Sequence, residues 1–171
     1  MAAANFKKSL SFVLQDEGGN DDDPLDHGGR TSRGITQREY SAWLNEQHRS
    51  DGDVWNAPDD DIEKIYYQEY WEPNCDKLPS GLDYLYFDMA VNAGPNRATV
   101  ILQQSLGVND DGRIGPVTRQ AIVAADPFLV VKYYTSKKRQ FYLSLHQPRF
   151  IRGWLNRCTD VQANAITMIG P

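Results

Sequence analysis

Helix-start and helix-stop signals punctuate the whole chain, and apolar residues recur between them with helical period. From Asn5, the side chains Phe6, Leu10, Val13 and Leu14 fall at i, i+4, i+7 and i+8, one face of a helix, and Gly18-Gly19 ends the run. Thr36-Gln37-Arg38-Glu39 has the form of a capping box and opens a second helix with Tyr40, Trp43 and Leu44 inward. Residues 48–57 are linker-like. Asp59, Asp60 and Asp61 stand at the next start, where carboxylates favour the positive end of the helix dipole. That helix carries Ile62, Ile65, Tyr66 and Tyr70 and must end before Pro73. Ser80 is placed to cap a fourth, with Leu82, Leu85, Tyr86 and Met89 inward and a stop at Asn92-Ala93-Gly94-Pro95. A short helix with Ala98, Ile101 and Leu102 closes at Gly107, and Asn109-Asp110-Asp111-Gly112 is a turn. Gly115-Pro116, Asp126-Pro127 and Pro148 open three more, the second running to about His146 and the last carrying Phe150, Trp154 and Val161. The expectation is a mainly α fold of seven or eight helices. Residues 20–35, polar and glycine-rich, fit a loop with at most a small β-hairpin around Gly28 to Ile35.

Composition narrows the function classes. A chain of 171 residues is one domain, or one with a small appendage, and buries a core without a metal or disulfide staple. Its formal charge of −5 argues against a nucleic-acid partner, which calls for basic patches. No apolar run is long enough to span a membrane. Lys7 and Lys8 are followed by no apolar signal core, so no secretory signal peptide is expected. Cys75 and Cys158 have no neighbouring Cys or paired His; free thiols are expected, not a zinc site. The net charge hides a split. Residues 1–87 carry 8 basic and 18 acidic side chains, and residues 88–171 carry 10 and 5.

Glu17 is the most informative single residue. It lies three positions after Leu14 and seven after Leu10, so it continues the apolar face of the first helix. A carboxyl pressed toward a core or cleft floor loses solvation and holds its proton toward neutral pH, which suits a general acid. The plain alternative is a partly solvated Glu at a frayed helix end. Its neighbours along the chain favour chemistry: Glu17-Gly18-Gly19, then Asp26, then Gly28-Gly29-Arg30-Thr31 and Gly34-Ile35-Thr36. Cleavage of a glycosidic bond needs a protonated acid on one side and a carboxylate or activated water on the other. A helix-end Glu and an Asp on the segment after it supply both groups locally.

The pattern E-G-G and then D-x-G-G-x-T-x-x-G-I-T, at 17–19 and 26–36, resembles glycoside hydrolase family 108, muramidases of the lysozyme superfamily. The spacing Glu-x8-Asp-x4-Thr is also similar to the Glu–Asp–Thr triad of phage-type lysozymes, which carry one more residue before the Thr. The resemblance implies Glu17 as general acid, Asp26 as second carboxylate and Thr31 as a residue that positions the attacking water. Asp88 to Pro95, Leu102-Gln103-Gln104, Asp111 to Thr118 and Gly153 to Arg157 resemble the peptidoglycan-binding region usual in that family. The implied organisation is a catalytic region at 1–87 and a peptidoglycan-binding helical region at 88–171, packed into one lysozyme-like helical globule. Asn92 either faces the substrate cleft or caps a helix end.

The activity implied by the resemblance is that of an endolysin-type N-acetylmuramidase, hydrolysing the β-1,4 bond between N-acetylmuramic acid and N-acetylglucosamine. Bacterial peptidoglycan is the partner, no cofactor or metal is implied, and a monomer is expected. Such a lysin would stay in the host cytoplasm until lysis and then reach the periplasm and wall. Two alternatives stay open: a lytic transglycosylase acting on the same bond, and a non-catalytic wall-binding or phage structural protein. Weaker signals have plain readings. The Asp21, Asp22, Asp23 and Asp26 cluster lacks the register and distal Glu of a calcium loop. His27 is read as an exposed loop residue, although it could tune Asp26. Tyr66, Tyr70, Trp71 and Tyr86 are candidates for stacking on sugar, but helical spacing makes most such aromatics core. Lys132, Lys137, Lys138 and Arg139 form a basic run, read as a solvated helix face or a contact with anionic wall polymer.

Overall fold

The computed structural model describes residues 2–16, 20–21 and 30–169. Among them the architecture is mainly α and lysozyme-like, with a small antiparallel sheet after the first helix. In chain order the elements are α1 (Ala2–Asp16), β1 (Asn20–Asp21), β2 (Thr31–Ser32), β3 (Ile35–Thr36), α2 (Gln37–Glu46), a 3-10 turn (Val54–Asn56) and α3 (Asp59–Ile65). α3 runs on as a wider π-type turn over Tyr66–Trp71. A 3-10 turn (Cys75–Lys77) precedes α4 (Leu82–Ala93), α5 (Pro95–Leu106), α6 (Pro116–Ala124), α7 (Pro127–Ser144) and α8 (Pro148–Ile169). α1 is described as far as Asp16, and the Gly18-Gly19 stop signal lies outside the described residues. The expected hairpin is present as a three-stranded sheet in the order β1-β2-β3.

The chain divides into two compact units, Lys7–Glu69 and Met1–Phe6 with Tyr70–Pro171. In the Lys7–Glu69 unit, Leu10, Val13, Ile35, Tyr40, Trp43, Leu44, Val54, Ile62 and Ile65 are buried. The capping box at the start of α2 forms as the sequence implies. Glu39 N–H donates to Thr36 Oγ1 at 3.2 Å, and Thr36 N–H donates to Glu39 Oε2 at 2.8 Å. Of the three aspartates opening α3, Asp61 does more than face the dipole. It is buried, accepts from Arg49 Nη1 at 2.9 Å and from the Tyr40 hydroxyl at 3.0 Å.

In the second unit α4 packs against α5, α7 and α8, and every residue from Leu82 to Ala90 is buried. The sequence suggested one inward face for α4; a helix enclosed all round instead reads as near-continuously apolar, as Leu82-Asp83-Tyr84-Leu85-Tyr86-Phe87 does apart from Asp83. Phe6, Trp71 and Phe87 add an edge-to-face aromatic cluster, with ring centroids 5.3 to 6.0 Å apart. Ser80 does not cap α4. Gly81 takes that place at φ +86°, and a Cβ there would stand 2.5 Å from the Ala165 carbonyl oxygen, so only glycine fits. Ser80 Oγ accepts from Asn5 instead, and Asp83 Oδ1 accepts from the Gly81 and Tyr84 N–H groups.

The basic run on α7 is not a uniform solvated face. Lys132 is exposed, but Lys138 is fully buried and pairs with Asp88 of α4, which also accepts from Arg157 Nε of α8 at 2.9 Å. At the far end of α8's apolar pattern, Phe150 is exposed and stacks on Trp154, which stacks on Tyr142. Cys75 and Cys158 are buried free thiols.

Candidate active site

The candidate site is built on the small sheet of the Lys7–Glu69 unit. β1 pairs with β2 in the register Asn20↔Ser32 and Asp21↔Thr31, and β2 pairs with β3 as Thr31↔Thr36 and Ser32↔Ile35. Arg33 and Gly34 form a two-residue hairpin turn with φ +50° and +80°, the paired positive values that match strand twist. An arginine at positive φ is costly, and its surroundings hold it there. The Arg33 carbonyl accepts from the Tyr66 hydroxyl at 2.7 Å. Its guanidinium donates to the Ala57 carbonyl at 2.6 Å and pairs with Asp59.

Thr31 sits on β2, half-buried, between two strands of two residues each. Its carbonyl accepts from the Trp55 indole Nε1 at 3.0 Å. Trp55 belongs to the Val54–Asn56 turn, which Asp53 caps by accepting from Trp55 N–H at 3.0 Å. Arg30, one residue before Thr31, lays its guanidinium 3.8 Å from the centre of the Trp55 ring and pairs with Asp53 at 3.1 Å. Gln37, in the first turn of α2, accepts from Val54 N–H at 2.9 Å and donates to the Gly52 carbonyl at 2.7 Å.

Of the four residues the sequence singles out, Thr31 lies in this sheet. Glu17 and Asp26 lie outside the described residues, as do His27 and most of the acidic cluster; in the sequence Glu17 comes directly after α1 and Asp26 falls between β1 and β2. Asn92 belongs to the other unit. It is exposed on the last turn of α4, and its Nδ2 donates to the Asp88 carbonyl at 2.6 Å, a bond local to the helix end. Among the aromatics, Tyr66, Trp71 and Tyr86 are fully buried core side chains and offer no face to a sugar. Sequence reasoning missed Arg30, Arg33, Asp53 and Trp55. Residues 48–57 have no helical period, so the only legible signal was Asp53 two positions before Trp55, a turn-capping spacing.

Two charge networks stiffen the units. Burial pushes the Asp61 carboxyl up, but the bonds from Arg49 and Tyr40 outweigh it and hold it below the usual range; burial and Asp61 together raise the Tyr40 hydroxyl. In the other unit burial likewise pushes Asp88 up, while Lys138 and Arg157 pull it below its ordinary value. Among the described residues no group of three or more His, Cys, Asp or Glu is placed to hold a metal ion.

Comparison with known proteins gives concordant findings. The family description Glycosyl hydrolase 108 matches residues 10–94, and Predicted Peptidoglycan domain matches residues 97–159. A search of curated proteins finds no match. Among solved structures, SagA of Brucella abortus is similar at 32% identity and a TM-score of 0.86, over 99% of this chain and 98% of that one.

Proposed function

Since the chain belongs to glycosyl hydrolase family 108 and carries a peptidoglycan-binding region, we propose that it is an N-acetylmuramidase of endolysin type. The bond cleaved is the β-1,4 link between N-acetylmuramic acid and N-acetylglucosamine. Glu17 protonates the leaving oxygen while positive charge develops at the anomeric carbon. Asp26 stabilises that charge or orients water with Thr31. The observation that carries this reading is the Glu17–Asp26–Thr31 pattern inside the matched region, with Thr31 on a strand paired to the residues just after Glu17. A half-buried position on the central strand of a small sheet suits a water-positioning hydroxyl, because pairing on both sides fixes the direction of the backbone that carries it.

The test is Glu17→Gln, which keeps the shape and removes the proton. Release of soluble fragments from purified peptidoglycan should fall more than about 100-fold, within the usual range for a general acid. Substantial remaining turnover rules out the Glu17 assignment. Mass spectrometry of the wild-type products separates hydrolysis from transglycosylation, since the latter leaves a 1,6-anhydro end. The first-formed anomer, read by NMR, reports inversion for carboxyls ~6.5–9.5 Å apart and retention for ~5 Å.

A further inference from the structure

We propose that Trp55 is a positioning residue for the reaction, acting through Thr31; the inference rests on the hydrolase reading above. The need arises from the size of the sheet. β2 has two residues, and each neighbour pairs with it at only two positions. A ladder this short has little stiffness of its own, because isolated short strand pairs are marginal in water. A hydroxyl that orients water must nevertheless be held to a fraction of an ångström.

The structure supplies the missing constraint from outside the ladder. The Trp55 indole N–H bonds to the Thr31 carbonyl at 3.0 Å. The indole is itself fixed from three directions. Asp53 caps the turn that carries it, Arg30 covers its ring at 3.8 Å, and Val54 beside it is fully buried. Arg30 is the chain neighbour of Thr31 and pairs with Asp53, so the contacts close a loop: Thr31, Arg30, Asp53, Trp55 and back to Thr31. Gln37 ties that turn to the start of α2, the helix that β3 leads into. The peptide unit bearing Thr31 is therefore clamped against the Lys7–Glu69 core. Trp55 need not touch substrate to have this effect.

Trp55→Phe deletes the N–H donor and keeps an aromatic ring under Arg30. With soluble peptidoglycan fragments as substrate, kcat should fall about tenfold with KM unchanged, less than the ~100-fold that a 1 Å misplacement can cost. The melting temperature should stay close to wild type. Thr31→Ala should also lower kcat, and the double variant should lose no more than Thr31→Ala alone, since Trp55 acts only through that residue. Multiplying losses in the double variant, a changed KM, or wild-type kcat in Trp55→Phe overturns the proposal while leaving the hydrolase reading intact. So does a kcat loss matched by a fall in melting temperature, which marks general destabilisation. A wild-type protein that releases no fragments overturns the hydrolase reading itself, and this proposal with it.

Discussion

The Lys7–Glu69 unit and the unit of Met1–Phe6 with Tyr70–Pro171 solve the same ordering problem with different means. In the first, regular structure is short, and long polar side chains tie its pieces together. Arg33 bridges the hairpin turn to Ala57 and Asp59, Trp55 reaches the Thr31 carbonyl, and Asp61 gathers Arg49 and Tyr40. In the second, helices α4, α5, α7 and α8 bury continuous apolar surface, and one ionic cluster, Asp88 with Lys138 and Arg157, sits inside it. The difference teaches where precision and stability reside. Helical packing supplies cohesive energy in proportion to buried area. The polar ties contribute less energy each but fix direction, which strands of two residues cannot do by themselves.

Substitutions should respect that division, and the largest effect breaks it most cleanly. Glu17→Gln should remove turnover and leave thermal unfolding unchanged, as measured by fragment release and calorimetry on one sample. Lys138→Met should do the reverse. Removing one partner of a buried pair costs roughly 3 kcal/mol or more, because Asp88 is left with less compensation. Calorimetry should show a marked fall in melting temperature, while kcat measured well below it stays at wild type. A kcat loss in that variant would mean that the cluster also serves the site.

Acid should expose the same cluster. The folded Asp88 titrates below its unfolded value, so its contribution is full above about pH 4 and is lost as pH falls through the lower folded value. Asp83 has the opposite sign: burial raises it, the folded state takes up the proton first, and this group favours folding as pH falls through its raised value. Melting temperatures taken from pH 7 down to pH 3 should show the acid-side loss in wild type and a shallower one in Asp88→Asn. The smallest effect is Tyr40→Phe, which deletes one of two bonds to Asp61 and should cost about 1 kcal/mol by denaturant titration. An effect as large as that of Lys138→Met would erase the contrast between the units.

Much of this was legible residue by residue. The capping box Thr36–Glu39, the proline starts at Pro116, Pro127 and Pro148, and the left-handed stop at Gly107 act over four or five residues, and all are present in the fold. The candidate site was proposed from a short pattern around Glu17, Asp26 and Thr31, of which only Thr31 lies among the described residues. The role of Ser80 was not legible, because a capping hydroxyl and a tertiary partner for Asn5 look alike in sequence. Nor was that of Lys138, because a lysine in a basic run looks solvated until its burial partner, 50 positions away, is known. Trp55 gave no signal of its own because its partner lies 24 positions off, across a stretch without periodicity.

The sequence by itself determined the helical class and most helix ends, since each rests on local backbone sterics and hydrogen bonding. Only the tertiary structure decided which charges are buried, which glycine has no substitute and what holds Thr31 in place. Those depend on contacts between residues far apart in the chain, and the energy of such a contact is set by burial and distance, neither of which is encoded in neighbouring letters.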